Sequence, residues 1–278
     1  IKESEHPFTL NFNNKDVRIT THYYEKNILS SIFSTIHEGG HAIYEQQIDD
    51  IVSETVLGEG TSMGIHESQS RIFENMFGRN IDFLKNIFNK FDELFDVRSK
   101  GIEVEDFYKI VNTVSKSLIR IEADELTYPI HIMIRYELEK EIFSNLEEIE
   151  SSEYIDYLAN KWADMYEEFL GVRPTTNSEG ILQDVHWSSG LFGYFPSYAL
   201  GSAYAAQIYN SMNKEFSIEE NLSNGNFDNI NSFLKDKIHK FGKSKTPNEL
   251  LILATGEAFN PDYYINYLKE KYRKIYGI

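Results

Sequence analysis

Ile28, Ile32, Phe33, Ile36, Ile43 and Tyr44 recur at the spacing of one helix face, and within that stripe stands His37-Glu38-Gly39-Gly40-His41. A helix puts residues i and i+4 on the same side, so both imidazoles can reach one tetrahedral ion. Glu38 then projects beside the fourth position, where a water would sit. Two glycines inside a helix cost about 1 kcal/mol each relative to alanine. The Gly39-Gly40 pair therefore predicts a close backbone approach, by a strand or by a substrate.

His-Glu-x-x-His on a helix is the signature of a zinc peptidase, with the glutamate as base. Such a site keeps three protein ligands and one exchangeable position. A second segment, Gly64-Ile65-His66-Glu67-Ser68-Gln69-Ser70-Arg71, supplies a carboxylate 26 positions beyond His41. We assign His37, His41 and Glu67 as the metal ligands, and Glu38 as the general base that takes a proton from the attacking water. Helix neighbours diverge, so His66 is a candidate for supporting the ligands or for contacting substrate. Arg71, four residues after Glu67, reads either as a plain ion pair or as a brace for that carboxylate's free oxygen.

The formal net charge of -17 and a pI near 4.9 argue against nucleic acid and anionic membrane surfaces as partners. With no cysteine there is neither a disulfide framework nor a thiolate metal site, which is compatible with a cytoplasmic location. No apolar run approaches the roughly 18 residues of a membrane helix, and the first residues lack signal-peptide character. The chain starts at Ile1 rather than Met, so we expect a piece of a longer protein.

Phe8 to Phe12, the turn-forming Asn13-Asn14-Lys15-Asp16, and Val17 to Tyr24 read as a hairpin. From about Glu25 the periodicity is helical. Gly58-Glu59-Gly60 breaks the chain before a second helix near Thr61 to Phe77, which carries Glu67. Further amphipathic stretches run near Asp82 to Phe95, Val104 to Leu146, Ser152 to Leu170, Ser202 to Glu215, Asn226 to Phe241, Pro247 to Phe259 and Asp262 to Tyr276. Pro129 should kink the longest of them. The loop-rich interval from Gly171 to Pro196 is where a binding loop is expected.

Asp16, Arg18 and Thr20 alternate on one strand face, either solvent-facing or turned to a groove where Arg18 would bind a substrate carboxylate. Arg120, Asp124, Tyr128, His131 and Arg135 form a polar stripe on the predicted long helix, either solvated or a groove wall. Gly180-Ile181-Leu182-Gln183-Asp184-Val185-His186-Trp187, followed by Gly190, Gly193, Tyr194, Pro196 and Tyr198, is dense in glycine, aromatic and polar residues. A histidine or tyrosine here could donate to a tetrahedral intermediate. The plain alternative is a buried aromatic corner with His186 satisfied by Asp184.

These segments together resemble the thermostable carboxypeptidases of the carboxypeptidase Taq type, a family of gluzincin metallopeptidases. The matching pieces are His6-Pro7-Phe8, Asp16-x-Arg18-x-Thr20, His37-Glu38-Gly39-Gly40-His41, His66-Glu67-Ser68-Gln69, Ile119-Arg120 with Ala123-Asp124, and Gly180-x-x-Gln183-Asp184-x-His186-Trp187. The resemblance implies a mainly α fold with a small β-hairpin or sheet beside a deep groove, and a homodimer. It also implies removal of single residues from the free C-terminus of peptides, with broad side-chain tolerance. Carried over by motif, His37, His41 and Glu67 would hold zinc or cobalt, with Glu38 as base. Arg120 and Arg135, with Arg18 and His186, would be candidates for the terminal carboxylate, with His66 and His131 in the substrate site. Tyr194 or Tyr198 would be the transition-state donor. Family members are longer, so residues 1–278 would be one catalytic domain lacking an N-terminal helical part that forms a groove wall. The rival expectations are an endopeptidase or dipeptidase with the same metal core, and an inactive fragment.

Overall fold

A small sheet precedes the helices in the computed structural model, which describes residues 1–278. Strands β1 (Lys2–Glu3), β2 (Thr9–Asn13) and β3 (Asp16–Thr21) pair in the order β1-β3-β2, with β1 parallel and β2 antiparallel to β3. The hairpin register sets Leu10 opposite Arg18 and Asn11 opposite Val17. Its turn closes as predicted, because the Asn13 side-chain oxygen accepts from the backbone N–H groups of Lys15 and Asp16. β1 has no sequence signal: two polar residues carry no alternation.

Twelve α-helices follow: α1 (Ile28–Gln46), α2 (Asp50–Ser53), α3 (Met63–Arg71), α4 (Ile81–Phe95), α5 (Val104–Val111), α6 (Tyr128–Ser144), α7 (Ser152–Leu170), α8 (Pro196–Glu215), α9 (Ile218–Ser223), α10 (Asp228–Lys237), α11 (Pro247–Thr255) and α12 (Asp262–Tyr276). Side-chain caps explain several starts: Asn27 accepts from Ser30 N before α1, Ser62 from Ile65 N before α3, and Thr246 with Glu249 forms a capping box at α11. α3 passes directly into a π-helical stretch, Ile72–Gly78, where the predicted helix was uniform.

The long helix expected from Val104 to Leu146 is instead broken. α5 stops at Val111, a 3-10 turn spans Arg120–Glu122, and α6 begins at Tyr128 with Pro129 in its first turn. Proline is favoured there because the first-turn N–H groups lack helical partners, so Pro129 marks a start and not a kink. The Asp124 carboxylate accepts from the N–H groups of Leu126 and Thr127, closing the turn before α6. Arg120 and Asp124 therefore do not share a helix face with Arg135.

Two compact units divide the chain: Ile1–Asn112 with Leu200–Ile278, and Thr113–Ala199. In the first, Tyr44 of α1, Ile65 of α3, and Ile72, Met76 and Phe77 of the π stretch pack with Ala205, Ile208 and Met212 of α8. In the second, Ile134, Leu138 and Ile142 of α6 meet Tyr154, Leu158, Trp162 and Tyr166 of α7. Each of the leucine, isoleucine, methionine and phenylalanine side chains stabilises its unit by about 1.5–3 kcal/mol when fully buried.

The glycine pair of α1 has a partner, and it is a helix. A Cβ placed on Gly40 would lie 2.6 Å from Gln69 O and 2.7 Å from Ser70 Cα of α3, whereas one on Gly39 would meet nothing within 4 Å. On another flank of α3, a Cβ on Gly201 would lie 2.5 Å from Glu67 Cγ. Gly40→Ala should therefore force the two helices apart and cost about 1–3 kcal/mol in chemical denaturation, while Gly39→Ala should be neutral or stabilising by up to about 1 kcal/mol. Equal effects at both positions would show that helix separation is not set at Gly40.

Candidate metal centre and arginine cluster

His37 and His41 come from α1 and Glu67 from α3, and their ligand atoms all lie within 4.8 Å of one another. Glu67 Oε2 is 3.8 Å from His37 Nε2 and 3.7 Å from His41 Nε2. A tetrahedral ion with bonds near 2.0–2.2 Å sets its donors roughly 3.3–3.6 Å apart. The two glutamate–histidine spacings are close to that range, and donors at the 4.8 Å limit would close by about 1 Å through side-chain rotation.

The chemistry behind each donor fits a cation. His37 Nδ1 lies 2.9 Å from Glu74 Oε2. Burial alone would raise the Glu74 pKa, but His37, Arg71 and Arg79 together hold it far below the usual carboxylate range. An ionised carboxylate only accepts, so His37 Nδ1 carries a hydrogen and Nε2 is the atom that offers a lone pair when the ring is neutral. Burial opposes protonation of His37, but Glu67 and Glu74 raise its pKa on balance, so a cation would displace a proton there. Arg71 Nε donates to Glu67 Oε1 at 2.7 Å, leaving Oε2 as the inward atom. His41 is kept neutral, its pKa pushed well below 6.5 by burial and then by His37 and His66. Around the site the carboxylates of Glu38, Glu45, Glu67 and Glu74 outnumber the guanidinium groups of Arg71 and Arg79 by two, a deficit that one divalent cation would cancel.

Glu38 is buried at 8 % exposure, and Thr9 of β2 donates to its Oε2 at 2.6 Å. Burial raises its pKa against the opposing effects of His37 and Thr9, which moves a carboxylate toward the range useful for a general base. His66 has both ring nitrogens engaged, Nδ1 2.6 Å from His41 Nδ1 and Nε2 2.7 Å from Glu45 Oε1, so it is turned to the back of the ligands and not to a substrate. Thr9, Glu45 and Glu74 escaped the sequence reading. The two glutamates stand four residues after His41 and seven after Glu67, a same-face spacing that was present but looked like solvent-exposed charge.

Arg18 is exposed and pairs with Asp16 through two bonds of 2.7 Å, on the polar face expected for both.

In the second unit, Arg120 and Arg135 close on opposite oxygens of Asp184. Arg120 Nε and Nη2 reach Oδ1 at 3.0 and 2.8 Å, and its Nη1 donates to Tyr128 Oη. Arg135 Nε and Nη2 reach Oδ2 at 2.7 and 2.6 Å. Its remaining hydrogens go to His131 O, Tyr166 Oη and Gln183 Oε1. A guanidinium has five N–H groups, so Arg135, fully buried, has none left for a substrate carboxylate. Arg120 retains one on each terminal nitrogen. Burial would raise the Asp184 pKa, but the two arginines lower it.

His131 is wholly buried beside this cluster, with Nδ1 2.9 Å from Tyr166 Oη and Nε2 without a partner. It faces the interior of its unit and no groove. His186 sits 4.0 Å from Asp184, too far for a hydrogen bond, and Nε2 instead meets Tyr198 Oη at 3.1 Å. Its ring packs against Phe195 and Tyr194. The following loop is tied to α6 by Glu139, which accepts from Trp187 Nε1 at 2.7 Å and Gly193 N at 3.0 Å.

A helix-borne His-Glu-x-x-His pair completed by a glutamate from a later helix is the constellation of a gluzincin metallopeptidase. Residues 1–272 match the model of the carboxypeptidase Taq (M32) metallopeptidase family, and the chain belongs to that family. It is 48% identical over 277 residues to Carboxypeptidase 1 of Bacillus subtilis, covering 99% of this chain and 54% of that protein. It is 43% identical to Thermostable carboxypeptidase 1 of Pyrococcus furiosus, covering 97% of this chain and 53% of that one. Among solved structures, the M32 carboxypeptidase from Deinococcus radiodurans R1 superposes with a TM-score of 0.93 at 37% identity, covering 100% of this chain and 55% of the other. The chain spans about half the length of these relatives.

Burial, then Arg135 and Arg120, lowers the His131 pKa from 6.5 to about 3. The unfolded chain binds this proton below pH 6.5 and the native one does not, so stability present above pH 6.5 is lost as pH falls toward 3. The slope contributed is about 1.4 kcal/mol per pH unit at most. In denaturation curves taken at neutral and mildly acidic pH, His131→Gln should lose less stability on acidification than the unsubstituted protein. An identical loss in both would place the acid sensitivity elsewhere.

Proposed function

We propose that this chain carries the catalytic centre of a zinc carboxypeptidase that releases the C-terminal residue of peptides with broad side-chain tolerance. The observation that carries the reading is the convergence of His37 Nε2, His41 Nε2 and Glu67 Oε2 beside a buried Glu38, in a chain of a metallopeptidase family. His37, His41 and Glu67 would hold the ion, zinc or alternatively cobalt. When bound, it would polarise the scissile carbonyl and lower the pKa of the attacking water.

Glu38 would do the proton work. Thr9 occupies Oε2, so Oε1 is the oxygen left to take the proton of the attacking water and pass it to the departing amine. For the terminal carboxylate we favour Arg120, because two arginines against one aspartate leave a net positive charge and only Arg120 has N–H groups to spare. Arg135 would then brace Asp184. Tyr194, or Tyr198 with His186, would donate to the oxygen that becomes negative in the transition state. The names and family of the relatives support carboxypeptidase activity, and a homodimer and a cytoplasmic location go with the same proposal.

Zinc-loaded protein should hydrolyse an N-blocked dipeptide with a free C-terminus and leave its C-terminal amide uncut, in a product-release assay. Chelation should abolish the activity and zinc restore it. Glu38→Gln should keep its zinc yet lose about 10²–10⁴-fold in kcat. Equal cleavage of acid and amide would make this an endopeptidase centre, and an unimpaired Glu38→Gln would remove Glu38 as base.

A further inference from the structure

Each ligand histidine needs its hydrogen on Nδ1 if Nε2 is to bind a cation, and the two achieve this differently. His37 has a carboxylate directly behind it. Behind His41 stands another imidazole, His66, and two facing ring nitrogens 2.6 Å apart accommodate only one hydrogen between them.

The position of that hydrogen follows from the far end. Glu45, at 4 % exposure, accepts from Gly60 N on Oε1 at 3.0 Å and from Asn11 Nδ2 on Oε2 at 2.9 Å. Both donors are fixed as donors, so both Glu45 oxygens act as acceptors and the hydrogen in the 2.7 Å contact with His66 belongs to His66 Nε2. A neutral imidazole with its hydrogen on Nε2 has a bare Nδ1. In that form it accepts from His41 Nδ1–H, which leaves the His41 Nε2 lone pair for a cation, 3.7 Å from Glu67 Oε2. The reverse order would give His41 an Nε2–H and close the site to a cation.

The surroundings hold the His66 ring in this pose. It lies tilted at 54° against the Tyr44 ring, 5.0 Å between centroids, and a Cβ on Gly60 would lie 2.6 Å from His66 Cδ2. Gly60 thus brings both the donor that engages Glu45 and the space the ring requires.

We propose that Glu45 and His66 are positioning residues that set the tautomer of His41 through a carboxylate–imidazole–imidazole chain, and so set the affinity of the site for a divalent cation. The proposal rests on the metal-site reading above, but its readout is cation binding and needs no turnover. The probe is Zn2+ alone, titrated against a competing chelator, with folding of each variant verified by circular dichroism and thermal melting.

His66→Phe keeps the ring and removes the acceptor, and should weaken Zn2+ binding about 10–100-fold, the usual cost of losing a group that orients a ligand. His66→Asn places an amide oxygen near the former Nδ1 and should recover most of the loss. Glu45→Ala should weaken binding in the parent protein but add little in the His66→Phe background, because it acts through His66. A His66→Phe variant that binds Zn2+ like the parent, an Asn variant as weak as the Phe one, or additive effects of the two positions would each overturn the proposal. A parent protein that takes up no Zn2+ would overturn both this inference and the metal site. The expected binding pattern without any peptide hydrolysis would uphold this inference and defeat the carboxypeptidase reading alone.

Discussion

The contact between α1 and α3 at Gly40 is the constraint on which the site depends. Two imidazoles from one helix and a carboxylate from another meet only because the backbones approach within the space a single Cβ would fill. Ligand separation is thereby set mainly by main-chain packing, with side-chain rotamers making the remaining adjustment. Gly201 extends the same logic, since the stem of Glu67 lies against a position where any larger residue would push it.

Around that contact the protein concentrates carboxylates at a density that is stable only with compensation. Glu74 is neutralised by Arg71, Arg79 and His37, Glu67 shares Arg71, and Glu45 is saturated by one backbone and two side-chain donors. Each oxygen not facing the ligand atoms has a partner, so the charge left over is directed inward. The second unit is built the opposite way. There Asp184 is outnumbered by Arg120 and Arg135, and the surplus is positive.

Much of this was legible in the amino-acid sequence. The His37-Glu38-x-x-His41 spacing and the glutamate that follows it brought three distant residues to one point, and the limits of α7 and α12 fall where the periodicity places them. Burial was harder to read. Glu45 and Glu74 look like ordinary helix-surface charges until their partners are in place, and Arg135 looks like a free cation until its hydrogens are counted. The long helix failed for a local reason: Pro129 has the same sequence signature whether it kinks a helix or begins one, and the deciding group, the Asp124 carboxylate, acts on N–H groups two and three residues on. The parallel pairing of β1 and the π stretch depend on tertiary packing that no short window encodes.

Glu139 shows how a region of little regular structure acquires order. One carboxylate in the middle of α6 receives an indole N–H and a main-chain N–H from the same loop, six residues apart. The loop therefore draws its conformational rigidity from a helix whose other side is locked into the aromatic interior with α7. Opening the loop means breaking two bonds to a buried anion and leaving it undersolvated, a cost closer to that of unfolding its helical support than to fraying a surface segment. The loop and α6 should then behave as one cooperative piece, with the slow amide exchange of a core element reaching into a stretch that, by composition, would be expected to exchange fast.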